Sequence, residues 1–536
     1  MVITANSPPA LASNRQSWYP GMVTMKEECL IPVIDLFAGP GGLGEGFSSI
    51  TDANGERVFR IIMSVEKDEQ AHRTLRLRAY VRSIKQKDRR IPHVYERYLQ
   101  NHDAKAFEEL IAYDPEAWEA AGIEALCATL KEGDDLLVEE ARTRLKAQGA
   151  QSGKPWALIG GPPCQAYSLV GRSRLTRDRE RLEADPKQTL YKCYLAFINK
   201  LQPTIFVMEN VKGLLSAKHE GDGVFQRILA DMHEAGYEIH SLVKPEPKGP
   251  QDYVVEAERY GIPQARHRVI LLGIRKESDH KETDILTPLN QLTVREALEG
   301  IPKIRSGFSS RNRGWREMNW ASYIDSAADE LLETEEGKEL EEVLLRVKSS
   351  RPPKKMSKSV VSGKSGLYAG WYRGGLGGYR VLANHEARTH MTRDLDRYLF
   401  CSAYAESTGV SAQLYDFPNY LIPAHKNAQA AKEDKEVGFS DRFRVQLYDR
   451  PSTTITSHIA KDGHYYIHPD PEQCRSLTVR EAARLQTFPD DFLFEGNRTS
   501  QYTQVGNAVP PLLAQQIAKV VAKYLGISAT NFFDSL

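Results

Sequence analysis

Cysteine is scarce in this chain. Six occur in 536 residues, at positions 29, 127, 164, 193, 401 and 474, and no two form a Cys-x-x-Cys pair. That spacing excludes a cysteine zinc site and a disulfide framework, and a reducing cytoplasm suits it best. Long apolar runs are also missing, so nothing in the chain is built to cross a bilayer and no membrane partner is expected. The start carries Ser, Pro and Asn but no basic-then-apolar leader, and residues 1–29 are expected to form a disordered lead-in. Excess charge of either sign is absent too: 71 Lys and Arg balance 71 Asp and Glu. A zero balance argues against a nucleic-acid surface spread over the whole molecule, though a local patch would suffice. Charge is unevenly placed. Residues 329–342 are acidic, whereas residues 346–364 contain Arg and Lys but no Asp or Glu. A solvated helix followed by a disordered loop is one reading of that contrast, and a phosphate-binding surface is the other.

What is present reads as a soluble α/β protein. Hydrophobic residues make up 41% and charged residues 26%, ordinary values for a globular chain, and the length allows two or three domains. Short apolar runs at 31–37, 60–66, 156–160, 205–209 and 268–273 predict strands, and helical patterns at 190–201 and 223–235 lie between them. Strands alternating with helices imply a doubly wound sheet. Two stretches break the rhythm. Residues 76–150 are charged and helical in pattern, and predict a helical insertion. Residues 302–470 are richer in Gly, Pro, Ser and aromatics, and predict a second domain. Residues 511–525 predict an amphipathic helix that packs back on the sheet.

Four sequence features sit where strands of such a sheet end. Asp35-Leu-Phe-Ala-Gly-Pro-Gly-Gly-Leu-Gly-x-Gly46 joins the first strand to the first helix. Glycines there allow close backbone approach to a ligand, and Glu66 at the end of the second strand can take ribose hydroxyls. NAD, FAD and S-adenosylmethionine all fit such a site, and a tight structural turn would need no ligand. Gly160-Gly-Pro-Pro-Cys164-Gln-Ala-Tyr-Ser168 follows the third strand. A lone cysteine is usually a small buried hydrophobe, but prolines that fix the backbone suit an aimed nucleophile. Glu209-Asn210-Val211 ends the fourth strand, where a carboxylate suits acid–base work and Asn210 could simply cap a helix. Arg266 and Arg268 in Gln264-Ala-Arg-His-Arg268 alternate by two and share a strand face, as a phosphate or carbonyl clamp or as a surface ion-pair strand.

Together these features resemble the DNA cytosine-5 methyltransferase family. The glycine loop is similar to its cofactor signature, Pro162-Pro163-Cys164-Gln165 to its nucleophile motif, and the Glu209 and Gln264 segments to its base-handling motifs. Residues 475–490 and Gln504-Val-Gly-Asn507-Ala-Val-Pro510 resemble its last two motifs. The resemblance spans roughly 31–299 and 450–528. It implies a Rossmann-like S-adenosylmethionine-dependent methyltransferase core over 30–300, with the insertion at 76–150. A smaller target-recognition domain over 301–474 and closing motifs over 475–536 would follow.

By the same resemblance, Cys164 attacks C6 of cytosine, Glu209 contacts N3 and the exocyclic amine, Arg268 holds O2, and Arg266 orients the catalytic pieces. The cofactor set comprises Asp35, Phe37 stacking on adenine, Ala38, Gly39, Gly41, Gly42, Leu43, Glu66, Pro162, Asn507 and Val509. Asp134 or, preferably, Asp135 reads the adenine amine. Lys67 departs from the bulky side chain that many members carry against the adenine. Gln165, Ser168, Arg172 and Arg174 belong to a loop that closes on DNA, although a plain solvated loop has the same composition. No metal is required. Double-stranded DNA is the implied partner, with a companion restriction endonuclease or defence system, and a monomer is expected. Specificity would lie within 302–449, where Lys354, Lys355 and Lys358 could meet phosphates and 370–379 could bring aromatic side chains to DNA. Residues 384–388 and the helix-like stretch 394–403 could instead be scaffold, the preferred reading for the helix. The basic run 82–90 of the insertion is a second candidate for contacting DNA. Three other readings compete. An RNA methyltransferase of the same fold would carry a shorter segment between the Gln264 and Arg475 motifs. A silent DNA-binding regulator would not need the reactive residues. An NAD-dependent oxidoreductase would leave Pro162-Pro163-Cys164 and Glu209-Asn210-Val211 unexplained.

Overall fold

All six residues of Ile31–Leu36 (β1) are buried, the pattern of a strand covered on both faces rather than one. The computed structural model describes residues 30–88, 90–133, 135–150, 153–163, 190–219, 222–276, 283–355, 366–376, 379–433 and 440–536. From β1 the chain enters helix Gly42–Ser49 (α1) and then Phe59–Glu66 (β2). Next come Glu69–Asp88 (α2), His93–Asn101 (α3), Ala104–Tyr113 (α4), Pro115–Glu124 (α5), Ala125–Cys127 (β3) and Leu136–Ala147 (α6). Ala157–Gly160 (β4), Leu190–Leu201 (α7), Ile205–Val211 (β5) and Val224–Glu234 (α8) follow. Three strands complete the sheet: Tyr237–Ser241 (β6), Val254–Glu256 (β7) and His267–Arg275 (β8).

The strand order is β3-β2-β1-β4-β5-β8-β7, and β6 also pairs with β8. β3 through β5 run parallel, while β8 is antiparallel to β5, β6 and β7. This is the expected doubly wound Rossmann-like sheet. Its order reverses between β1 and β4, since β2 and β3 lie on one side and β5 on the other. In such sheets the crevice beyond the carboxyl ends at the reversal is where ligands bind. The glycine loop after β1 and Gly160–Pro163 after β4 border that crevice.

Residues 76–150 differ from the expectation of one insertion. β3 is a true edge strand, in register with Ser64–Glu66 of β2, and α6 is an ordinary crossover. The added part is α3 to α5. Three residues are too few to show a strand's period, so β3 is invisible to pattern reading. Within the basic run 82–90, Arg82 pairs with Glu124, Lys87 with Asp114 at 2.7 Å and Lys85 with Asp491 at 3.7 Å, while Lys87 and Arg90 stay exposed.

Beyond the sheet lie Gly307–Phe308 (β9), Trp320–Leu332 (α9), Glu341–Ser349 (α10), Ala369–Gly374 (α11), Thr389–His390 (β10) and Thr392–Thr408 (α12). Val479–Leu485 (α13), Arg498–Asn507 (α14) and Pro511–Tyr524 (α15) close the chain. As expected, α15 packs back on the sheet lobe: a Cβ on Gly46 of α1 would sit 2.4 Å from the Ala514 Cβ. Residues 308–474 hold a separate apolar core of Phe308, Trp320, Leu344, Leu399, Phe400, Phe417 and Phe443. Residues 370–379 do not offer their aromatics to a ligand. Tyr372 Oη donates to the Arg484 carbonyl at 2.8 Å and Trp371 Nε1 to the Thr487 carbonyl at 2.7 Å. Tyr372 belongs to the sheet lobe's apolar core and Trp371 packs against it. These rings are anchors, because buried aromatics with a polar handle satisfy both needs at once. His385 is likewise internal, lying 3.0 Å from both the Thr478 hydroxyl and the Pro302 carbonyl.

Candidate active site at the sheet reversal

The crevice is framed by a strained turn. Phe37 adopts φ +56°, followed by Gly39 at +57° and Gly41 at +99°. A bulky residue in the left-handed region persists only where its surroundings hold it, and such residues gather at ligand sites. The Ala38 amide donates to the Val65 carbonyl at 3.1 Å. Glu66 accepts from the Gly39 amide at 2.9 Å and from the Asp68 amide at 2.8 Å. One carboxylate thus locks the loop of β1 to the end of β2. Phe37, Ala38, Gly39 and Glu66 remain half-exposed, while Gly41, Gly42 and Leu43 are buried beneath them.

Gly42 has a specific reason. A Cβ there would stand 2.2 Å from the Val509 carbonyl oxygen, so the closing segment presses directly on the helix start. Gly160 is fixed the same way, 2.4 Å from the Leu36 carbonyl. Asp35 lies below the loop, fully buried. Among the described residues neither of its oxygens completes a hydrogen bond, although the Gly44 amide faces it. Burial raises its pKa to about 8, Arg82 opposes the rise, and Glu66 adds to it.

Across the crevice, Glu209 and Arg268 meet on paired antiparallel strands. Arg268 Nε lies 2.8 Å from Glu209 Oε1, with both side chains largely covered. Gly161 sits under the same carboxylate, its absent Cβ 3.1 Å from Oε2. Asn210 Nδ2 donates to the Pro162 carbonyl at 3.1 Å, while its Oδ1 accepts from the Val211 amide. This tie fixes the backbone two residues before Cys164. Burial lowers the pKa of Arg268, opposed by Glu209. Arg266 is fully buried. Its Nη1 donates to the carbonyls of Ile455 at 2.9 Å and Gly506 at 3.3 Å, so it is a strut under the Asn507–Val509 segment. Gln264 works alongside, accepting from the Ile455 amide at 2.8 Å and donating to the Leu485 carbonyl at 3.1 Å.

The expected site residues therefore divide. Phe37 to Leu43, Glu66, Pro162, Glu209, Arg268 and Val509 gather around one crevice, with Asp35 beneath it. Asn507 ends α14 exposed, one residue past the Gly506 carbonyl. Asp135 stands apart: exposed, it pairs with Lys200 on the last turn of α7. No Asp follows β3 directly, and Cys127 is the residue in register with Glu66. Cys164, Gln165, Ser168, Arg172 and Arg174, with Asp134 and Lys358, lie outside the described residues. Sequence reasoning missed the ties made by Asn210 and Gln264. Both amides sit inside recognised motifs, and only coordinates reveal their partners.

The closing motif is buried charge. Arg475 grips Glu481 through two contacts of 2.6 Å, and Arg484 grips Asp490 at 2.7 and 2.9 Å. Arg480 donates to the carbonyls of Ala383, Pro489 and Phe492 at 3.0, 3.0 and 2.6 Å. These contacts organise the second lobe against the first.

A family model, C-5 cytosine-specific DNA methylase, matches residues 146–523, most of the chain. The chain belongs to the C-5 cytosine-specific DNA methylase family. Type II methyltransferase M.Bpa9945I of Bacillus paralicheniformis is 33% identical over 504 residues, covering 91% of this chain and 98% of the relative. Type II methyltransferase M.DdeI of Desulfomicrobium norvegicum is 28% identical, covering 68% and 72%. A crystal structure described as a DNA modification methyltransferase encoded within an E. coli prophage aligns with TM-score 0.52 at 18% identity. It covers 92% of this chain and 99% of the other, and supports the fold. This methylase is thus a DNA cytosine-5 methyltransferase with a Rossmann-like core. Among the described residues no helix is long and apolar enough to cross a membrane.

Proposed function

We propose that the protein transfers a methyl group from S-adenosylmethionine to C5 of a cytosine flipped out of duplex DNA, through a covalent Cys164 adduct. The observation that carries this reading is the meeting of Glu209 and Arg268 at 2.8 Å over the Gly161–Pro162 turn that leads into Cys164. The donor, when bound, supplies an electrophilic methyl group. Phe37, the Ala38–Gly42 backbone and Glu66 would hold it, with Val509 closing the methionine end. The half-exposed loop and the close approach at Gly42 fit a flat, polar ligand of that kind.

On the base side, the Cys164 thiolate adds to C6, forming a C–S bond and making C5 electron-rich. Glu209 bonds N3 and the exocyclic amine, and Arg268 bonds O2, so both favour the ring that carries the adduct. After C5 is methylated, its proton leaves to a base and the C–S bond breaks, restoring aromaticity. A base inside a duplex cannot reach this crevice, so it must be extruded. Residues 301–474 would choose which cytosine is presented, and Gln165, Ser168, Arg172 and Arg174 would close over the duplex. The type II names of the curated relatives favour a companion restriction endonuclease in the same cytoplasm.

The test is incorporation of labelled methyl groups into duplex DNA by the purified chain and by Cys164→Ser. The wild type labels DNA and the variant does not, while both retain duplex in a gel shift. Near-normal labelling by the variant would remove Cys164 from the mechanism.

A further inference from the structure

We propose that the loop joining β9 to α9, residues 309–319, is the element by which the second lobe grips the DNA duplex. This rests on the reading that duplex DNA is the substrate. The sequence Ser309-Ser-Arg-Asn-Arg-Gly-Trp-Arg316 puts three arginines and a tryptophan in six residues, and the loop's one acidic side chain, Glu317, follows them. Arg311, Arg313 and Arg316 are all exposed.

Four other exposed arginines each carry a carboxylate partner. Arg97 pairs with Glu109, Arg346 with Glu406, Arg450 with Asp449 and Arg498 with Glu386. Among the described residues no carboxylate lies within ion-pair distance of Arg311, Arg313 or Arg316. Two lysines lie against the segment that leads into the loop. Lys354 bridges to Ile304 through its backbone, and the Lys355 side chain lies against Gly307 of β9.

The loop is held in shape. Asn312 is buried, and its Nδ2 donates to the His390 carbonyl at 3.3 Å while its Oδ1 accepts from the Thr392 amide at 3.2 Å. The Ser309 amide donates to the same His390 carbonyl at 2.9 Å, and Gly314 makes the turn at φ +68°. A solvated loop needs no such pins, whereas a docking element does, because ordering it beforehand lowers the cost of binding. Trp315 and Met391 are exposed on the two pinned segments, which gives the cationic frame an apolar centre for a groove or a base step.

The loop is also wired to the catalytic edge. Ser306, beside β9, donates to the Arg388 carbonyl at 3.0 Å. The Arg388 guanidinium holds the carbonyls of Ile459 at 2.7 Å and Lys461 at 3.2 Å. That turn follows Ile455, whose carbonyl carries Arg266 at 2.9 Å. Phosphates gripped at the loop would thereby be registered against the strand that bears Arg268. Arginine forks suit phosphate oxygens, and such contacts fix register on a duplex.

The experiment measures binding of a fluorescein-labelled duplex to the full chain across a salt series. The variants are Arg311→Ala/Arg313→Ala/Arg316→Ala and, separately, Trp315→Ala. Each lost phosphate contact removes about 0.9 from the slope of log affinity against log salt. For three contacts, the wild type's loss of affinity between about 50 and 200 mM salt should shrink by about 40-fold in the triple variant. Trp315→Ala should weaken binding with the slope unchanged. Binding of S-adenosylmethionine by both variants should match the wild type, which shows that they fold. An unchanged slope in the triple variant, beside a wild type that binds and methylates DNA, overturns the proposal and leaves the loop for another partner such as a protein. A wild type that neither binds nor methylates DNA would instead defeat the functional reading on which it rests.

Discussion

Asp35 and Glu66 occupy neighbouring strands and yet do opposite things. Glu66 spends its charge on two loop amides, and a charge-assisted hydrogen bond contributes about 1.5–3 kcal/mol. Glu66→Ala should therefore raise the KM for the methyl donor by roughly tenfold or more and leave that for DNA nearly unchanged, as steady-state kinetics would reveal. Equal effects on both substrates would make it a purely structural brace. Asp35 has no such partners, and burial raises it to about 8 against 3.8 for an unfolded Asp. The sign follows directly. Between those values the folded chain holds a proton that the unfolded chain has released, so this group lowers stability as pH rises from about 4 to about 8. Asp35→Asn should flatten that slope in thermal melts and gain most near pH 8. A variant whose melting temperature falls equally at every pH would contradict it. The types of these residues were legible in the sequence. Their partners were not, because one carboxylate looks like another until burial and neighbouring amides are known.

Among the elements, α2 ties the first helix to the closing segment. Arg78 reaches Glu45 of α1 with contacts of 2.5 and 2.8 Å and Asp491 of the closing segment at 3.3 Å, with all three side chains nearly inaccessible. Burial pushes both carboxyls up, and Arg78 outweighs it and holds each below its ordinary value. Among the described residues, removing the cation leaves the buried Glu45 carboxylate without its ion-pair partner and Asp491 with only Lys85, 3.7 Å away. Arg78→Met should cost about 3–5 kcal/mol, measured by urea unfolding at neutral pH. The loss should shrink as pH falls through the carboxylate range, where the wild type surrenders the same stability. A change under about 1 kcal/mol would mean the network is dispensable. Hydrophobic pattern was enough to locate β1, β2, β4, β5 and β8, since each contains a continuous apolar run. It failed on β3, because three residues show no period, and on the buried Arg78 of α2, because charge alone does not reveal which face is buried.

At the scale of the whole molecule, the second lobe is one apolar core with a borrowed strip. Residues 308–474 share that core, while Tyr368, Tyr372, Leu376, Val381 and Ala383 pack into clusters of the first lobe. A chimera that exchanges residues 302–449 with those of a relative of different target should change the methylated sequence. It should fold only if residues 366–387 remain native, because their anchors face this chain's own closing motif. A folded, active chimera that keeps the original target would move specificity elsewhere. The central claim is simpler: this chain methylates C5 of cytosine in DNA through Cys164. The most direct measurement is base-resolution mapping of 5-methylcytosine in DNA from a methylation-free bacterial host that expresses the chain or its Cys164→Ser variant. The account predicts 5-methylcytosine at one short recurrent sequence with the native chain and none with the variant. No 5-methylcytosine with the native chain, or the same pattern with the variant, would contradict it.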